Sequence, residues 1–179
     1  MKKEINVFDY SKEIMEALQK GVLLTTKAGD KVNSMTISWG MLGIEWGKPV
    51  FITFVREHRF TKAQLEKNGE FTVNIPVGDF DKKILGVCGS KSGRNIDKIG
   101  ELDLTLVEPI SGTVPAIKEL PLTLECRVIY KQAQLPELMT QENREKFHPQ
   151  NVDSSFPMAN LDYHTAFFGE IVNAYIVES

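Results

Sequence analysis

The sequence has little of what marks a disulfide-rich or a nucleic-acid-binding protein. It has 2 cysteines among 179 residues, Cys88 and Cys126, so a framework of several disulfides is excluded, and we expect both thiols to stay reduced. Its 21 lysines and arginines are outnumbered by 24 aspartates and glutamates, which gives a net charge of −3. Because nucleic-acid-binding domains carry a basic excess, we expect no nucleic-acid partner.

Long hydrophobic runs are also lacking. The longest apolar stretch, Val50–Val55, contains Thr53 and is far shorter than the roughly 18 residues that a membrane-spanning helix needs. The residues after Met1 do not form the apolar segment of a secretory signal. We therefore expect a cytoplasmic protein that does not attach to a membrane.

Common motifs of metal, nucleotide and acid–base sites are missing as well. The 3 histidines, His58, His148 and His164, are too dispersed for a metal-ligand signature, and no Cys-x-x-Cys occurs, so we expect no protein-bound metal. Neither a G-x-G-x-x-G nor a Walker sequence is present, which argues against Rossmann and P-loop nucleotide sites. No pair of residues points to acid–base catalysis, so no catalytic residue is predicted.

What the sequence does contain is a series of strand patterns. No repeat, low-complexity tract or shift of composition divides the chain, so we predict one domain over residues 1–179. Alternating or β-branched runs predict strands at Val22–Lys27, Lys31–Trp39, Val50–Val55, Glu70–Ile75, Leu122–Lys131 and Tyr163–Val177. Apolar spacing and capping residues predict helices at Ser11–Lys20, from Thr61 to Asn68, at Asp79–Val87 and within Pro136–Phe147. Because hairpins rather than helical crossovers connect the strands, we predict an antiparallel barrel or sandwich with helices outside.

The segment Arg56–Thr61 is the first candidate site. It places two arginines and a histidine between a buried strand and a helix start, where free backbone N–H groups attract anions. Arginine offers bidentate donors, and Thr61 can either cap the helix or donate to a phosphate oxygen. From the spacing alone, a phosphate site and an exposed cationic turn both fit this segment.

Two further segments are unusual. The strand Asn33–Trp39 carries Asn, Ser and Thr beside Met and Trp. This mixture suits a flat heteroaromatic ligand, but also a half-exposed strand whose hydroxyls face water. The loop Cys88–Lys98 is rich in glycine and serine and has three cations, so it either presents donors to an anion or is a solvated loop.

The two thiols and one histidine are assigned structural positions. Cys126 lies in the inward register of its strand, and Cys88 is predicted to be a small buried residue rather than a redox thiol. A thiol relay would need a second cysteine close by. His164, beside the strand Phe167–Glu170, could border a pocket, but a hydrogen-bonded structural histidine is the favoured interpretation.

Taken in order, six segments resemble the flavin reductase-like, flavoredoxin branch of the FMN-binding split-barrel proteins. These segments are Asn33–Trp39, Pro49–Phe51, Arg56–Thr61, Phe71–Ile75, Cys88–Lys98 and His164–Ile171. The resemblance implies a mainly β fold, an antiparallel six-stranded split barrel of Greek-key type with peripheral α-helices. It also implies a homodimer with one FMN per subunit near the dimer interface.

The same resemblance implies a set of cofactor-binding residues. The hydroxyl-rich strand would border the isoalloxazine ring through Asn33, Ser34, Met35, Thr36, Ser38 and Trp39. The strand-to-helix turn would hold the phosphate through Arg56, His58, Arg59 and Thr61, although many relatives have Ser at the position of His58. The glycine-serine loop would close on the flavin through Ser90, Ser92, Gly93, Arg94 and Lys98.

The resemblance leaves the activity open between two main classes. One is an NAD(P)H-dependent flavin reductase, an enzyme for which NADH or NADPH is a transient electron donor. The other is a flavoredoxin-type carrier that keeps its FMN and passes electrons to a redox partner protein, and a non-catalytic FMN-binding module is a third alternative. In the first two the flavin performs the electron chemistry, which agrees with the lack of an acid–base pair.

The stretch His148–Asp162 matches no part of the family pattern.

Overall fold

Strands and helices alternate irregularly along residues 1–178, the part of the chain that the computed structural model describes. The strands are β1 (Lys2–Glu4), β2 (Val22–Ala28), β3 (Lys31–Ile37), β4 (Gly40–Glu45), β5 (Lys48–Arg56), β6 (Glu70–Ile75), β7 (Leu106–Val107), β8 (Ala116–Ile117), β9 (Leu122–Ala133) and β10 (His164–Val177). The α-helices are α1 (Ser11–Lys20), α2 (Phe60–Lys67), α3 (Lys83–Ser90), α4 (Lys98–Glu101) and α5 (Gln141–Phe147).

One antiparallel sheet organises the fold. Seven of its strands pair in the order β3-β2-β6-β9-β10-β5-β4, β1 adds to β10, and β7 and β8 form a separate pair. The two end strands of this order, β3 and β4, are joined by only Ser38 and Trp39. The sheet must therefore curl until its ends approach each other at that link. The predicted mainly β, antiparallel fold with outer helices is confirmed, with eight strands in the sheet rather than six.

The inner face of the curled sheet carries the hydrophobic core. Leu24, Val73 and Leu124 are paired neighbours on β2, β6 and β9, and all three are fully buried. Aromatic rings from β5, β6 and β10 fill the centre, namely Phe51, Phe71 and Phe167. Burying a side chain of this kind stabilises a fold by roughly 1.5–3 kcal/mol.

The outer face of β2 and β3 is covered by α3, α4 and the segment 104–120. Leu23, Cys88 and Leu120 are fully buried in this second apolar layer. Cys126 is buried in the main core, and both cysteines are unpaired. The predicted burial of the two thiols is therefore confirmed, and burial raises the pKa of the Cys88 thiol to about 11.

Two predicted strand features near the end of β3 differ in the structure. The strand that the sequence extends to Trp39 ends at Ile37, and β4 follows after a two-residue link. The sequence patterns miss β4 because Gly40 and Gly43 interrupt it and because Met41 and Ile44 are exposed, so it lacks the alternation of an amphipathic strand.

The helix predicted at Asp79–Val87 is shifted along the chain. It begins at Lys83, because the carboxylate of Asp81 accepts from the Lys83 N–H at 2.9 Å and so starts the first turn. It runs on to Ser90, whose hydroxyl donates to the Gly86 carbonyl at 2.8 Å.

The helical stretch predicted at Pro136–Phe147 is divided in two. A 3₁₀ helix covers Pro136–Leu138, and α5 begins after Thr140, whose hydroxyl accepts from the Asn143 N–H at 3.4 Å.

No helix among residues 1–178 is both long and apolar enough to span a bilayer.

Candidate functional site

Two adjoining cavities lie between β3, the turn after β5, the start of α2 and the α3–α4 loop. The first has a volume of about 110 Å³, and the second has a volume of about 220 Å³. Met35 and Arg59 line both, so the two cavities form one continuous cleft.

The fold brings nearly all the predicted site residues to this cleft. The first cavity receives Asn33, Met35, His58, Arg59, Thr61, Ser90, Ser92, Gly93, Arg94 and Lys98. The second receives Met35, Thr36, Ser38, Trp39, Arg56 and Arg59. Ser34 is the exception and lines neither cavity. Lining residues outside the predicted site are Phe60 and Lys91 in the first cavity, and Ile37, Phe54 and Met158 in the second. His164, for which the sequence left a pocket border as an alternative, also lines the second cavity.

The first cavity is strongly cationic. Arg59, Lys91, Arg94 and Lys98 line it, and no acidic residue does so among residues 1–178. Serine hydroxyls and the backbone of the α3–α4 loop add further donors. A small cavity with this lining suits an anion of phosphate size.

The N-terminus of α2 borders the first cavity. The helix begins at Phe60, and Arg59 at the N-cap makes no side-chain hydrogen bond to it, so no cap competes with a ligand for the first-turn N–H groups. The capping alternative for Thr61 is wrong, because the helix starts one residue earlier and Thr61 Oγ1 accepts from Asn33 Nδ2 at 3.1 Å. Gln64 also turns inward and donates to the Lys31 carbonyl at 2.8 Å.

The α3–α4 loop approaches β3 and α2 very closely at Gly93. A Cβ atom on Gly93 would overlap Asn33 Oδ1 and would lie 2.9 Å from Phe60 Cδ1. Only glycine permits this approach. Arg94 donates to the His58 carbonyl at 2.7 Å, and its guanidinium lies 5.6 Å from the centroid of the Phe60 ring. The loop is thereby held against the strand-to-helix turn.

Lys98 is a buried cation in the first cavity. Its Nζ donates to the Ser34 carbonyl at 2.8 Å and to the Cys88 carbonyl at 3.1 Å, which joins β3 to the end of α3. Burial lowers the pKa of this ammonium group from its usual value. An ammonium group carries three donors, so one remains for a ligand.

Ser34 takes part in the site only through its main chain. Its hydroxyl lies 2.7 Å from Thr25 Oγ1, in the polar layer between the sheet and α3. Asn33 and Met35, its neighbours on β3, point to the opposite face of the sheet and line the first cavity. The structure thus places the Ser34 side chain outside both cavities.

The second cavity is wider and partly aromatic. Trp39 is 40% exposed, and its ring contacts Phe147 and His164 at centroid distances of 5.5 and 5.3 Å. Phe54 and Met158 add apolar surface. Flat apolar walls with a few polar groups suit a planar heteroaromatic ring.

Arg56 supplies a buried charge to the second cavity. It is 7% exposed, and its Nη1 donates to the Asp162 carbonyl and to His148 Nδ1, the latter at 3.3 Å. Its Nη2 is buried without a hydrogen-bond partner among the described residues. The sequence grouped Arg56 with the phosphate ligands, whereas the structure places it in the second cavity.

Asp162 orders the turn between β5 and α2. Its carboxylate accepts from the His58 N–H at 2.6 Å and contacts His58 Nδ1 at 2.5 Å, so the imidazole of His58 is committed to this pair. Asp162, His148 and Met158 all belong to the stretch for which the sequence offered no pattern. The one available signal is position, because Asp162 lies two residues before His164, the β10 residue that pairs with Arg56.

Of the two sequence interpretations of His164, the structure agrees with a histidine that borders a pocket and not with the favoured hydrogen-bonded one. It lines the second cavity, and its Nδ1 is buried without a partner among the described residues. Burial, followed by the nearby charge of Arg56, lowers the pKa of this imidazole to about 4. His164 is therefore neutral at pH 7.

The cleft combines side chains that suit an anion with side chains that suit a planar ring. Residues 1–178 contain no group of three or more His, Cys, Asp and Glu side chains that would hold a metal ion. A ligand that carries both an anionic group and a planar ring would use both cavities at once.

Comparisons with known proteins agree on the type of fold. A family model described as flavin reductase like domain matches residues 15–179. An uncharacterised protein of Archaeoglobus fulgidus is 33% identical over 100 residues, which cover 56% of this chain and 55% of that protein. The match thus spans about half the length of that relative.

Two solved structures have a fold similar to that of this chain. Flavoredoxin from Methanosarcina acetivorans is 28% identical, with a TM-score of 0.64 over 88% of this chain and 68% of that chain. An NADH:FAD oxidoreductase of Streptomyces globisporus is 17% identical, with a TM-score of 0.61 over 88% of this chain and 74% of that chain. The second likeness shows a shared fold.

Proposed function

The chain belongs to the flavin reductase-like domain family, and from that premise we propose that it binds FMN in the cleft and transfers electrons through it. The phosphate would occupy the cationic first cavity, and the isoalloxazine ring would occupy the second. Met35 and Arg59, which line both cavities, would flank the chain between phosphate and ring.

The observation that carries this proposal is the division of one cleft into an anion-sized cavity and an aromatic one. The second cavity also has two buried nitrogen atoms that lack a partner among the described residues, Arg56 Nη2 and His164 Nδ1. Buried polar atoms are normally hydrogen-bonded, so these two are suited to a polar ligand. The residues present therefore fit FMN.

Bound FMN would supply the electron chemistry, since a flavin accepts a hydride and releases electrons singly or in pairs. The chain's own residues bind and orient it. Arg94 and Lys98 would neutralise the phosphate, Trp39 would shield the ring from water, and Arg56 would donate to the ring's polar edge. His164 stays neutral at pH 7 because of its lowered pKa, so it adds no second charge beside Arg56.

We propose an NAD(P)H-dependent flavin reductase as the activity, with NADH or NADPH as the transient donor. Membership of the family and the fold shared with an NADH:FAD oxidoreductase support this assignment. The second candidate is an electron carrier that keeps its FMN and serves a redox partner protein. The 28% identity to a flavoredoxin over 88% of the chain favours that candidate.

Flavin binding and nucleotide oxidation test the proposal together. We expect purified protein to be yellow, or to become so with FMN, and to oxidise NADH or NADPH when free FMN is added. Tight FMN binding with slow or absent turnover would support the carrier instead. A colourless protein that fails to bind FMN at micromolar concentration would overturn both assignments.

We also propose that the protein is a homodimer, for a reason that differs from the sequence argument. In the sequence, the segment Tyr163–Val177 is apolar on both faces, and a single barrel has only one interior, so the second face alone predicts a partner. In the structure, Tyr175 near the end of β10 packs on Ala116 of the same chain, so that half needs no partner. An aromatic patch formed by Trp46, Tyr130 and Phe168 remains on the other half, and Trp46 is 61% exposed. Exposed apolar patches of this kind mark protein interfaces.

A further inference from the structure

We propose that His148 is a positioning residue that holds Arg56 beside the ring of the bound flavin, and that this pair raises the flavin's reduction potential. The inference rests on the proposed function, because it requires FMN in the cleft. It assigns a role to the stretch His148–Asp162, which matches no part of the family pattern.

Arg56 has the geometry of a side chain that is held for a ligand. It lies on the last residue of β5, pairs in register with His164 of β10, and is 7% exposed. Only one of its two terminal nitrogens is used within the protein, and the other is buried without a partner among the described residues. A buried guanidinium with an unused donor costs stability unless a ligand supplies an acceptor.

The charge of Arg56 is not cancelled by a direct ion pair among residues 1–178. The carboxylate of Asp162 acts on Arg56 electrostatically, but it is bound to the N–H and the Nδ1 of His58 and forms no salt bridge with the guanidinium. Asp162 reaches Arg56 through its carbonyl instead. The second cavity therefore holds a desolvated positive charge whose field acts on whatever occupies it.

His148 has the geometry of the residue that aims this charge. It is 4% exposed, and its Nδ1 lies 3.3 Å from Arg56 Nη1. Its ring stacks on Tyr163 at 4.8 Å and meets His164 edge-on at 5.3 Å, which fixes the ring plane. Burial, followed by the charge of Arg56, lowers the pKa of His148, so at neutral pH the ring is uncharged and its Nδ1 accepts from the guanidinium.

A fixed cation beside a flavin favours the reduced ring, because reduction adds negative charge that the cation stabilises in a low-dielectric cavity. If the guanidinium of Arg56 is no longer held beside the ring, part of this stabilisation of the reduced flavin is lost. For a two-electron couple, each tenfold change in the preference for reduced over oxidised flavin shifts the potential by about 30 mV.

Two substitutions separate positioning from packing. His148→Phe keeps a ring that can stack on Tyr163 but removes the acceptor for Arg56. His148→Asn keeps an acceptor atom near the position of Nδ1 but removes the ring. Gln141→Ala is the matched control, because Gln141 lies in α5, the helix that leads to His148, and its side chain bonds to Glu145 and not to His148.

The measurement is the midpoint potential of bound FMN, together with the Kd values of FMN and riboflavin. We expect His148→Phe to lower the preference for reduced flavin about tenfold, a shift of about 30 mV. His148→Asn should keep that preference within twofold of the wild type, a shift of at most about 9 mV. Both flavins should lose affinity equally in His148→Phe, because Arg56 lies in the second cavity. Gln141→Ala should leave the potential unchanged.

Several outcomes would overturn the inference. A potential that stays at the wild-type value in His148→Phe, or one that falls in His148→Asn and not in His148→Phe, would show that the histidine serves packing alone. A loss confined to FMN would place Arg56 with the phosphate. Should His148→Phe fail to fold, the inference requires that Arg56→Gln lower the potential by at least about 30 mV. Wild-type protein that binds no FMN would contradict the proposed function instead.

Discussion

Gly93 packs so closely against Asn33 that a Cβ atom on the glycine would overlap the Asn33 side-chain oxygen. Asn33 Nδ2 in turn donates to Thr61 Oγ1 at 3.1 Å. This pair therefore connects the α3–α4 loop, β3 and the start of α2, the three elements that enclose the first cavity. Any side chain at position 93 must therefore displace either the loop or the side chain of Asn33.

Gly93→Ala is expected to weaken FMN binding at least tenfold, because displacing the loop moves the Arg94 and serine donors away from the phosphate. Fluorescence titration with FMN gives the Kd. Gly86→Ala is the matched control, since a Cβ on Gly86 meets nothing within 4 Å and its backbone is helical. That control should bind FMN normally and gain up to about 1 kcal/mol of stability. Equal FMN affinity in the two variants would contradict the proposed role of the loop.

Arg94→Gln is expected to weaken FMN by about tenfold while changing riboflavin less than twofold. Arg94 lines only the first cavity, and a charge-assisted bond to phosphate contributes about 1.5–3 kcal/mol, with the lower end suited to an exposed side chain. Lys67→Gln removes one positive charge from the last turn of α2 and controls for net charge. If both flavins lost the same affinity in Arg94→Gln, the first cavity would not hold the phosphate.

His164 makes the stability of the protein depend on pH in a defined window. Its pKa is lowered to about 4 in the folded state, against an ordinary value near 6.5, so the stability that it contributes is complete above pH 6.5 and is lost as the pH falls towards 4. The lost contribution is of order 3 kcal/mol. Urea unfolding at pH 7 and pH 4.5 measures it, and His164→Gln should show the smaller drop. An equal drop in both proteins would rule out His164 as the cause.

Cys88 is expected to take no part in electron transfer. Burial raises its pKa to about 11, so the thiol stays protonated at neutral pH, and it is fully buried. Cys88→Ser should leave FMN affinity and NAD(P)H-driven flavin reduction within a few-fold of the wild type. A loss of two orders of magnitude, about 2.7 kcal/mol of barrier, would show that the thiol takes part.

Light scattering is expected to give about twice the 20.2 kDa mass of one chain at micromolar concentration. Trp46→Ser should shift the protein towards the monomer, because Trp46 is the most exposed ring of the aromatic patch. Met1→Ser is the control, because Met1 is an exposed apolar residue outside the patch. It is made in a protein with an N-terminal tag, so that translation starts before position 1. Wild-type protein that is monomeric with FMN bound would contradict the dimer.

The elements that the sequence predicted well are those with a local signal. The alternation over Leu122–Lys131 lies within β9, and the turn at Gly29 joins β2 and β3 as a hairpin. Apolar spacing after Ser11 and the stop at Gly21 match α1. Each of these signals spans fewer than a dozen residues, so neighbouring residues alone decide them.

The residues of the candidate site likewise fall into those that a local signal predicted and those that depend on distant contacts. The residues of Asn33–Trp39, Arg56–Thr61 and the α3–α4 loop were found because their composition is unusual within a few positions. Which cavity each residue enters was not predictable, as Arg56 and Ser34 show, because that depends on strand register and on contacts with distant segments. His148 and Asp162 were missed because nothing in their neighbourhood is patterned.

By itself, the sequence determined a mainly β antiparallel fold, the position of the buried thiols and the three segments that supply most of the cleft. These follow from alternation, turn residues and burial, which are properties of short stretches. Only the tertiary structure decided that the cleft has two parts and that Arg56 is aimed by His148 and Asp162, which lie 92 and 106 residues further along the chain. The curling of the sheet brings such distant residues together, and no local pattern encodes the pairing that results.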